Sequence, residues 1–170
     1  MSLSNCFKDY TEEIDLALIQ NACVEIELYS IIAFIVRERV NGSKISLRDV
    51  SNRRRTEISK RYYGNGGFPD FVVLERNKVK DAAILGCVEV KMPTVDISTI
   101  SEQVQGHIVY FGKVLYSNGI RWSLYDKSAP KNPVWTFDLG KYDNKDNKIV
   151  WNGRSWNDLL KELDAIQWTE

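Results

Sequence analysis

Residues 85–93, Leu-Gly-Cys-Val-Glu-Val-Lys-Met-Pro, constrain the fold more than any other stretch of the chain. Val88, Val90 and Met92 alternate there with Glu89 and Lys91, and a period of two is the period of a β-strand. Glu89 and Lys91 therefore share a face, with Val90 between them pointing away. Upstream, residues 68–74, Phe-Pro-Asp-Phe-Val-Val-Leu, read as a second strand, opened by a proline where the ladder is not disturbed. The polar run over 75–81 makes a hairpin connection. An antiparallel hairpin brings Asp70 close to Glu89 and Lys91 on one face, which sets two acids and one amine around a single point.

The chemistry available to this trio follows from charge. Two carboxylates on rigid strands hold a hard divalent cation through oxygen; Mg²⁺ takes one or two carboxylates and keeps several waters. Such a cation polarises a phosphoryl oxygen and lowers the pKa of its bound water. A neighbouring lysine orients that water or stabilises developing negative charge. The set suits hydrolysis of phosphodiesters. Glu-x-Lys on its own is also the pattern of a solvated strand face. What distinguishes it here is the order: Pro-Asp on a strand, a short interval, an apolar strand bearing Glu-x-Lys, then a helix.

In that order the chain resembles the PD-(D/E)xK nuclease superfamily, with Pro69-Asp70 and Glu89-Val90-Lys91 as the two signature pieces. More narrowly, it is similar to the N-terminal nuclease domain of type I restriction-enzyme R subunits. In those domains a helix carrying a glutamine follows the Glu-x-Lys strand. A strand ending in a Thr-Asn-Gly-like turn and a Trp-x-Leu-Tyr-Asp-like strand come next. Here Gln103 and Gln105 lie in the helical stretch, followed by Ser117-Asn118-Gly119 and Trp122-Ser123-Leu124-Tyr125-Asp126. The resemblance runs over 11–126. It departs at Ser117, where threonine is commoner, and the 170 residues carry no helicase motor.

The resemblance implies a restriction-endonuclease-like α/β fold and Mg²⁺- or Mn²⁺-dependent cleavage of DNA. It implies Asp70 and Glu89 as metal ligands, Lys91 acting on the attacking water, and Gln103, rather than Gln105, on the phosphate or the water. It also implies a glutamate from the first core helix, for which Glu25 and Glu27 are the candidates. Both flank the apolar stripe, on opposite edges, so periodicity does not choose; spacing to Gly42 leans toward Glu27. Other restriction-system subunits are the implied partners, and a homodimer stays open. The rival on the same fold is a non-catalytic DNA-binding or protein-interaction module.

Composition sets the remaining bounds. Formal net charge is zero, so nucleic-acid binding has to come from local clustering. The cluster is Arg53, Arg54, Arg55, Lys60 and Arg61, within a polar segment over 43–63 that has weak helical periodicity at Leu47, Val50 and Ile58. It reads equally as a phosphate-tracking surface and as a solvated face. Tyr62 and Tyr63 beside it are candidates for stacking on an unpaired base. Gly64-Asn65-Gly66-Gly67 reads as a flexible loop bordering the site. Cys6, Cys23 and Cys87 have no metal spacing and read as reduced thiols. His107 is the single histidine and reads as structural. No signal-peptide pattern and no membrane-length apolar run is present, so a cytoplasmic location without membrane contact is the expectation.

Read in order, 1–9 is polar, with disorder the open expectation. Residues 11–40 are helical, as one helix or two. A helix over 102–113 is capped by Ser101. Strands around Asn118-Gly119 form a hairpin. A strand over 134–139, a short apolar piece over 149–151 and a closing helix from Ser155 complete one domain over 1–170, with 127–170 as its C-terminal part.

Overall fold

The computed structural model describes residues 3–22, 24–39, 43–52 and 56–169. It is a mixed α/β structure of four α-helices around a six-stranded, mostly antiparallel sheet. Two helices open the chain, α1 (Phe7–Asn21) and α2 (Glu25–Glu38). Ala22, in left-handed backbone at φ 50°, separates them. The predicted helical stretch is thus two helices, and the first begins ahead of Thr11. Residues 3–9 belong to the fold rather than to a disordered arm. Ser4 is buried and its carbonyl accepts a hydrogen bond from Arg39 at 2.8 Å, while the Phe7 ring meets Trp156 at 5.5 Å between centroids.

The sheet runs β1 (Ile45–Asp49), β2 (Phe71–Glu75), β3 (Ile84–Val90), β4 (Lys113–Ser117), β5 (Arg121–Asp126), β6 (Trp135–Asp138), each paired with the next. Only β3 and β4 are parallel, and α3 (Glu102–Phe111) is the crossover between them. Parallel neighbours cannot be joined by a tight turn, so a helix here is what the geometry requires. Ser101 caps α3 by accepting from the Val104 amide at 3.2 Å. A two-stranded sheet of β7 (Gly140–Asp143) and β8 (Lys148–Trp151) leads into α4 (Trp156–Ala165). Ser155 makes no side-chain cap there; Asn152 instead accepts from the Arg154 amide.

Period-two alternation sends the strand side chains into two cores. Phe71, Val73, Val88, Val90, Leu115 and Trp122 pack with α1, α2 and α4. Val72, Leu74, Cys87, Val114 and Tyr116 pack with Val104, Ile108 and Phe111 of α3. Helices therefore cover both faces. Removing a fully buried side chain such as Leu115 costs about 2–5 kcal/mol in a core of this kind. Trp156 and Trp168 are buried, and Trp135 and Trp151 pack against the larger core.

The segment over 43–63 departs from the helical expectation. Ile45 and Leu47 are buried and alternate with Ser46 and Arg48, so it begins as the edge strand β1, antiparallel to β2. A 3-10 turn, Ser59–Tyr62, follows. Among the described residues no helix is long and apolar enough to cross a membrane. Cys87 is buried and Cys6 is a free thiol; Cys23 lies outside the described residues.

Candidate active site

The hairpin of β2 and β3 builds the site. Phe71 pairs with Val88, which puts Asp70, one residue before β2, beside Glu89. Asp70 Oδ2 accepts from the Val90 amide at 2.7 Å, and its backbone carbonyl accepts from Val50 at 2.9 Å. Lys91 continues the ladder past β3 by donating its amide to the Ser117 carbonyl at 2.9 Å. Its Nζ lies 2.6 Å from Glu89 Oε1. The three residues read from the sequence as a trio thus meet at one end of the central strands.

The cluster is nearly closed. Glu89 is 1% exposed, Asp70 8%, and the Lys91 side chain 20%, so solvent reaches the group from the lysine side. Charges this confined perturb one another. Burial, then the Glu89 charge, push the Asp70 carboxyl up to about 7, against the Tyr29 hydroxyl, the Val90 amide and Lys91, which pull it down. Burial alone would also raise Glu89. The contacts with His107 and Lys91 outweigh it, and Glu89 is held below the ordinary glutamate value. For Lys91, desolvation is outweighed by Glu89, Glu25 and Asp70, so its ammonium is held more firmly than usual. One acid is therefore committed to the ionised state and its neighbour is poised near neutrality. Such a split is common at functional sites and also occurs in structural ion-pair networks.

Two members have no signal in the sequence motifs. Tyr29 of α2 donates its hydroxyl to Asp70 Oδ1 and lies 3.2 Å from Glu25 Oε1. Burial, then Asp70 and Glu25, hold the phenol protonated well above its usual value. His107, on α3, is fully buried, and its Nε2 lies 3.3 Å from Glu89 Oε2. The approach lacks hydrogen-bond alignment: Glu89 Oε2 and both His107 ring nitrogens are buried without a hydrogen-bond partner. His107 falls on the buried stripe of Val104, Ile108 and Phe111, and that periodicity is the one clue the sequence offers to its inward orientation.

Sequence spacing left Glu25 and Glu27 both open, and the structure sets them differently. Glu25 is linked to the cluster through Tyr29, whereas Glu27 accepts from Asn21 Nδ2 at 2.6 Å on the exposed side and stays outside it. Gln103 lies one turn before His107 on α3 and lines a groove near the site; Gln105 faces a different groove, with Ile97 and Tyr125.

Of the basic cluster, Lys60 and Arg61 lie among the described residues. Arg53, Arg54 and Arg55 lie outside the described residues. Arg61 donates to the Ala82 carbonyl, and its guanidinium stacks over the Tyr62 ring at 5.6 Å. Lys60 pairs with Glu57 at 2.8 Å on the open surface. Tyr62 is buried in the α3-side core and is removed as a stacking candidate, while Tyr63 is exposed.

The glycine loop is clamped rather than flexible. Gly64 and Gly67 exchange backbone hydrogen bonds at 3.0 and 2.9 Å. A Cβ on Gly66 would lie 2.2 Å from the Gln103 carbonyl and 2.7 Å from His107 Nδ1. Glycine is needed here for close approach to α3, and the same packing fixes the start of the segment that delivers Asp70.

A divalent cation fits this donor set in kind. Asp70 and Glu89 offer hard oxygen ligands with spare lone pairs. Glu89 Oε2 has no hydrogen-bond partner, and the repulsion that raises Asp70 is what a cation between the carboxylates relieves. No ready cage of three or more His, Cys, Asp or Glu side chains exists among the described residues. The fit is to a weakly held, mostly hydrated ion. No protein-family model matches the chain, and no curated protein and no solved structure matches it significantly.

Proposed function

We propose that the chain is a restriction-endonuclease-like nuclease that hydrolyses DNA phosphodiester bonds with Mg²⁺ or Mn²⁺. The observation that supports this best is the meeting of Asp70, Glu89 and Lys91, with Lys91 Nζ 2.6 Å from Glu89 Oε1. Asp70 and Glu89 would hold the ion, and when bound it supplies charge stabilisation at the phosphoryl group and a more acidic water. Lys91, charged and on the solvent side, orients the attacking water and stabilises charge that develops on the phosphate. Tyr29 and the Val90 amide hold the Asp70 carboxylate in place. The Lys91 ammonium, 2.6 Å from Oε1, favours the ionised form of Glu89. Gln103 stands at the groove edge, available to a phosphate oxygen. The Cys87 thiol of β3 is pushed well above its usual pKa, by burial and then by Glu89 and Asp70, and offers no nucleophile.

Supercoiled plasmid and single-stranded DNA, each incubated with Mg²⁺, Mn²⁺ or EDTA, test the proposal. Cleavage is expected with either metal and not with EDTA. Lys91→Ala, assayed where it is folded, is expected to lose about 10²–10³ in rate, the usual cost of one preorganised electrostatic group. A second reading, a non-catalytic DNA-binding or protein-interaction module, is favoured by one observation: Glu89 is nearly buried and its oxygens face Lys91 and His107, as in a structural ion-pair network. No cleavage by the wild type with either metal would select it. DNA is the partner proposed in the nuclease reading and in the DNA-binding form of the second, and other restriction-system subunits are proposed on the resemblance alone.

A further inference from the structure

The groove beside Gln103 has a volume of about 750 Å³ and is lined by Ser59, Lys60, Tyr63, Gly66, Gly67 and Phe68. That size is within the range of small-ligand pockets. Its wall is aromatic: Tyr63 is 61% exposed, and its ring meets Phe68 edge-on at 5.2 Å. An aromatic ring left this open, but held by a neighbouring ring, is a stacking platform rather than core. Lys60 stands at the same groove, with its ammonium on the surface. Its partner Glu57 is 85% exposed in the side chain, and a surface pair of this kind contributes little and is readily exchanged for another anion. On the Gly67 side a side chain would meet nothing within 4 Å, so the groove is open there.

The groove is tied to the candidate active site by two short routes. Phe68 is followed by Pro69 and Asp70. Gln103 lies one helical turn before His107, which touches Glu89. A nucleotide seated in the groove therefore lies next to the carboxylate cluster along the chain and along α3.

We propose that this groove takes an unpaired nucleotide, its base stacked on Tyr63 and a phosphate at Lys60, so that the substrate class is DNA with a single-stranded segment. A duplex keeps its base faces covered and cannot use an aromatic wall of this kind, whereas any unpaired base has a free face to offer. The substrate class rests on the nuclease reading, but binding to the groove does not require cleavage.

The probe is a short single-stranded DNA oligonucleotide carrying 2-aminopurine, titrated in EDTA so that nothing is cut. The wild type is expected to bind and quench the probe. Tyr63→Ala should bind roughly tenfold more weakly or worse and lose the quench, and Tyr63→Phe should retain both. Lys60→Gln should lower the slope of log K against log salt by about 0.7, the value for one phosphate on a single strand. Fully paired duplex should bind without any dependence on Tyr63. Absence of oligonucleotide binding overturns the proposal, as does Tyr63→Ala binding like wild type. Equal Tyr63 dependence for duplex and single strand also overturns it. Cleavage is scored separately. Full-rate cleavage of single strands by Tyr63→Ala leaves the nuclease reading standing and the groove refuted. Tyr63-dependent binding without metal-dependent cleavage leaves the groove standing and the nuclease reading refuted.

Discussion

At the scale of single residues, Asp70 feels burial and a neighbouring negative charge together. Its ordinary value is 3.8 and burial with the Glu89 charge pushes it up to about 7. Between these values the folded protein holds a proton that the unfolded chain has released, so stability falls as pH rises through that window. Asp70→Asn removes this dependence. In EDTA at about pH 8 the variant is expected to be more stable than wild type by up to a few kcal/mol, with a flatter profile between about pH 4 and 7 in denaturant titrations. A profile as steep as wild type would refute the raised Asp70. Glu89 behaves oppositely: held below its ordinary 4.5, it contributes above that value and its contribution is lost in acid. Lys91 is part of that contribution. Lys91→Met is expected to cost on the order of 2 kcal/mol at neutral pH, less than a fully buried pair because the lysine is partly solvated. Adding Glu89→Gln should recover much of the loss in a double-mutant cycle; additive losses would mean that the two do not act as a pair. Asp70, Glu89 and Lys91 were legible because each sits in a short strand motif with a period of two. Tyr29 was not, and Glu25 was not separable from Glu27, since the meeting of Tyr29 with Asp70 and Glu25 depends on how α2 is set against the sheet.

At the scale of elements, the contact between α3 and the loop ahead of β2 decides whether the site is held. Glycine in a helix interior costs about 1 kcal/mol relative to alanine, so Gly106→Ala would ordinarily stabilise α3. Here the added Cβ would lie 2.5 Å from the Gly66 amide nitrogen, and backbone cannot be displaced as easily as a side-chain tip. The expected sign is therefore reversed: Gly106→Ala should destabilise by about 1–3 kcal/mol, as overpacking does. It should also speed hydrogen exchange at the Gly64 and Gly67 amides, which bond each other's carbonyls. A stabilised variant would show that the loop gives way at no cost. The sequence marked these glycines but suggested flexibility, because a run of glycines looks the same whether freedom or close approach demands it. β1 was missed for a related reason. Ile45 and Leu47 are only two apolar positions, too few for the alternation to stand out against Leu47, Val50 and Ile58 at helical spacing. Pairing with β2 decides the outcome, and that pairing is not local. Tyr62, a stacking candidate in the sequence, is likewise settled by non-local packing, which puts it in the core.

For the whole molecule, the mixed α/β class with helices on both faces was legible because apolar strands flank a capped helix at the centre of the chain. The small β7–β8 sheet was not, since Lys141, Tyr142 and Asp143 look like turn residues until β8 pairs with them. This architecture places the carboxylates at one end of the central strands, and binding of an ion there would be linked to global stability. An ion held with a Kd of about 1 mM adds about 1.4 kcal/mol at about ten times that concentration. For a chain of 170 residues that is a rise of roughly 3–6 °C in Tm. A ligand carboxyl must be deprotonated to bind, and Asp70 titrates at about 7, so protons and Mg²⁺ compete for it. The Mg²⁺-induced rise should therefore be full at about pH 8, shrink through about pH 7 and be nearly gone at about pH 5.5. Asp70→Asn should show little rise at any pH, although it starts from a higher Tm at pH 8 in EDTA. Thermal scans of both proteins with and without Mg²⁺ at these pH values measure all of this. A rise independent of pH, or equal in Asp70→Asn, would place the ion away from the carboxylates and remove the metal from the proposed chemistry.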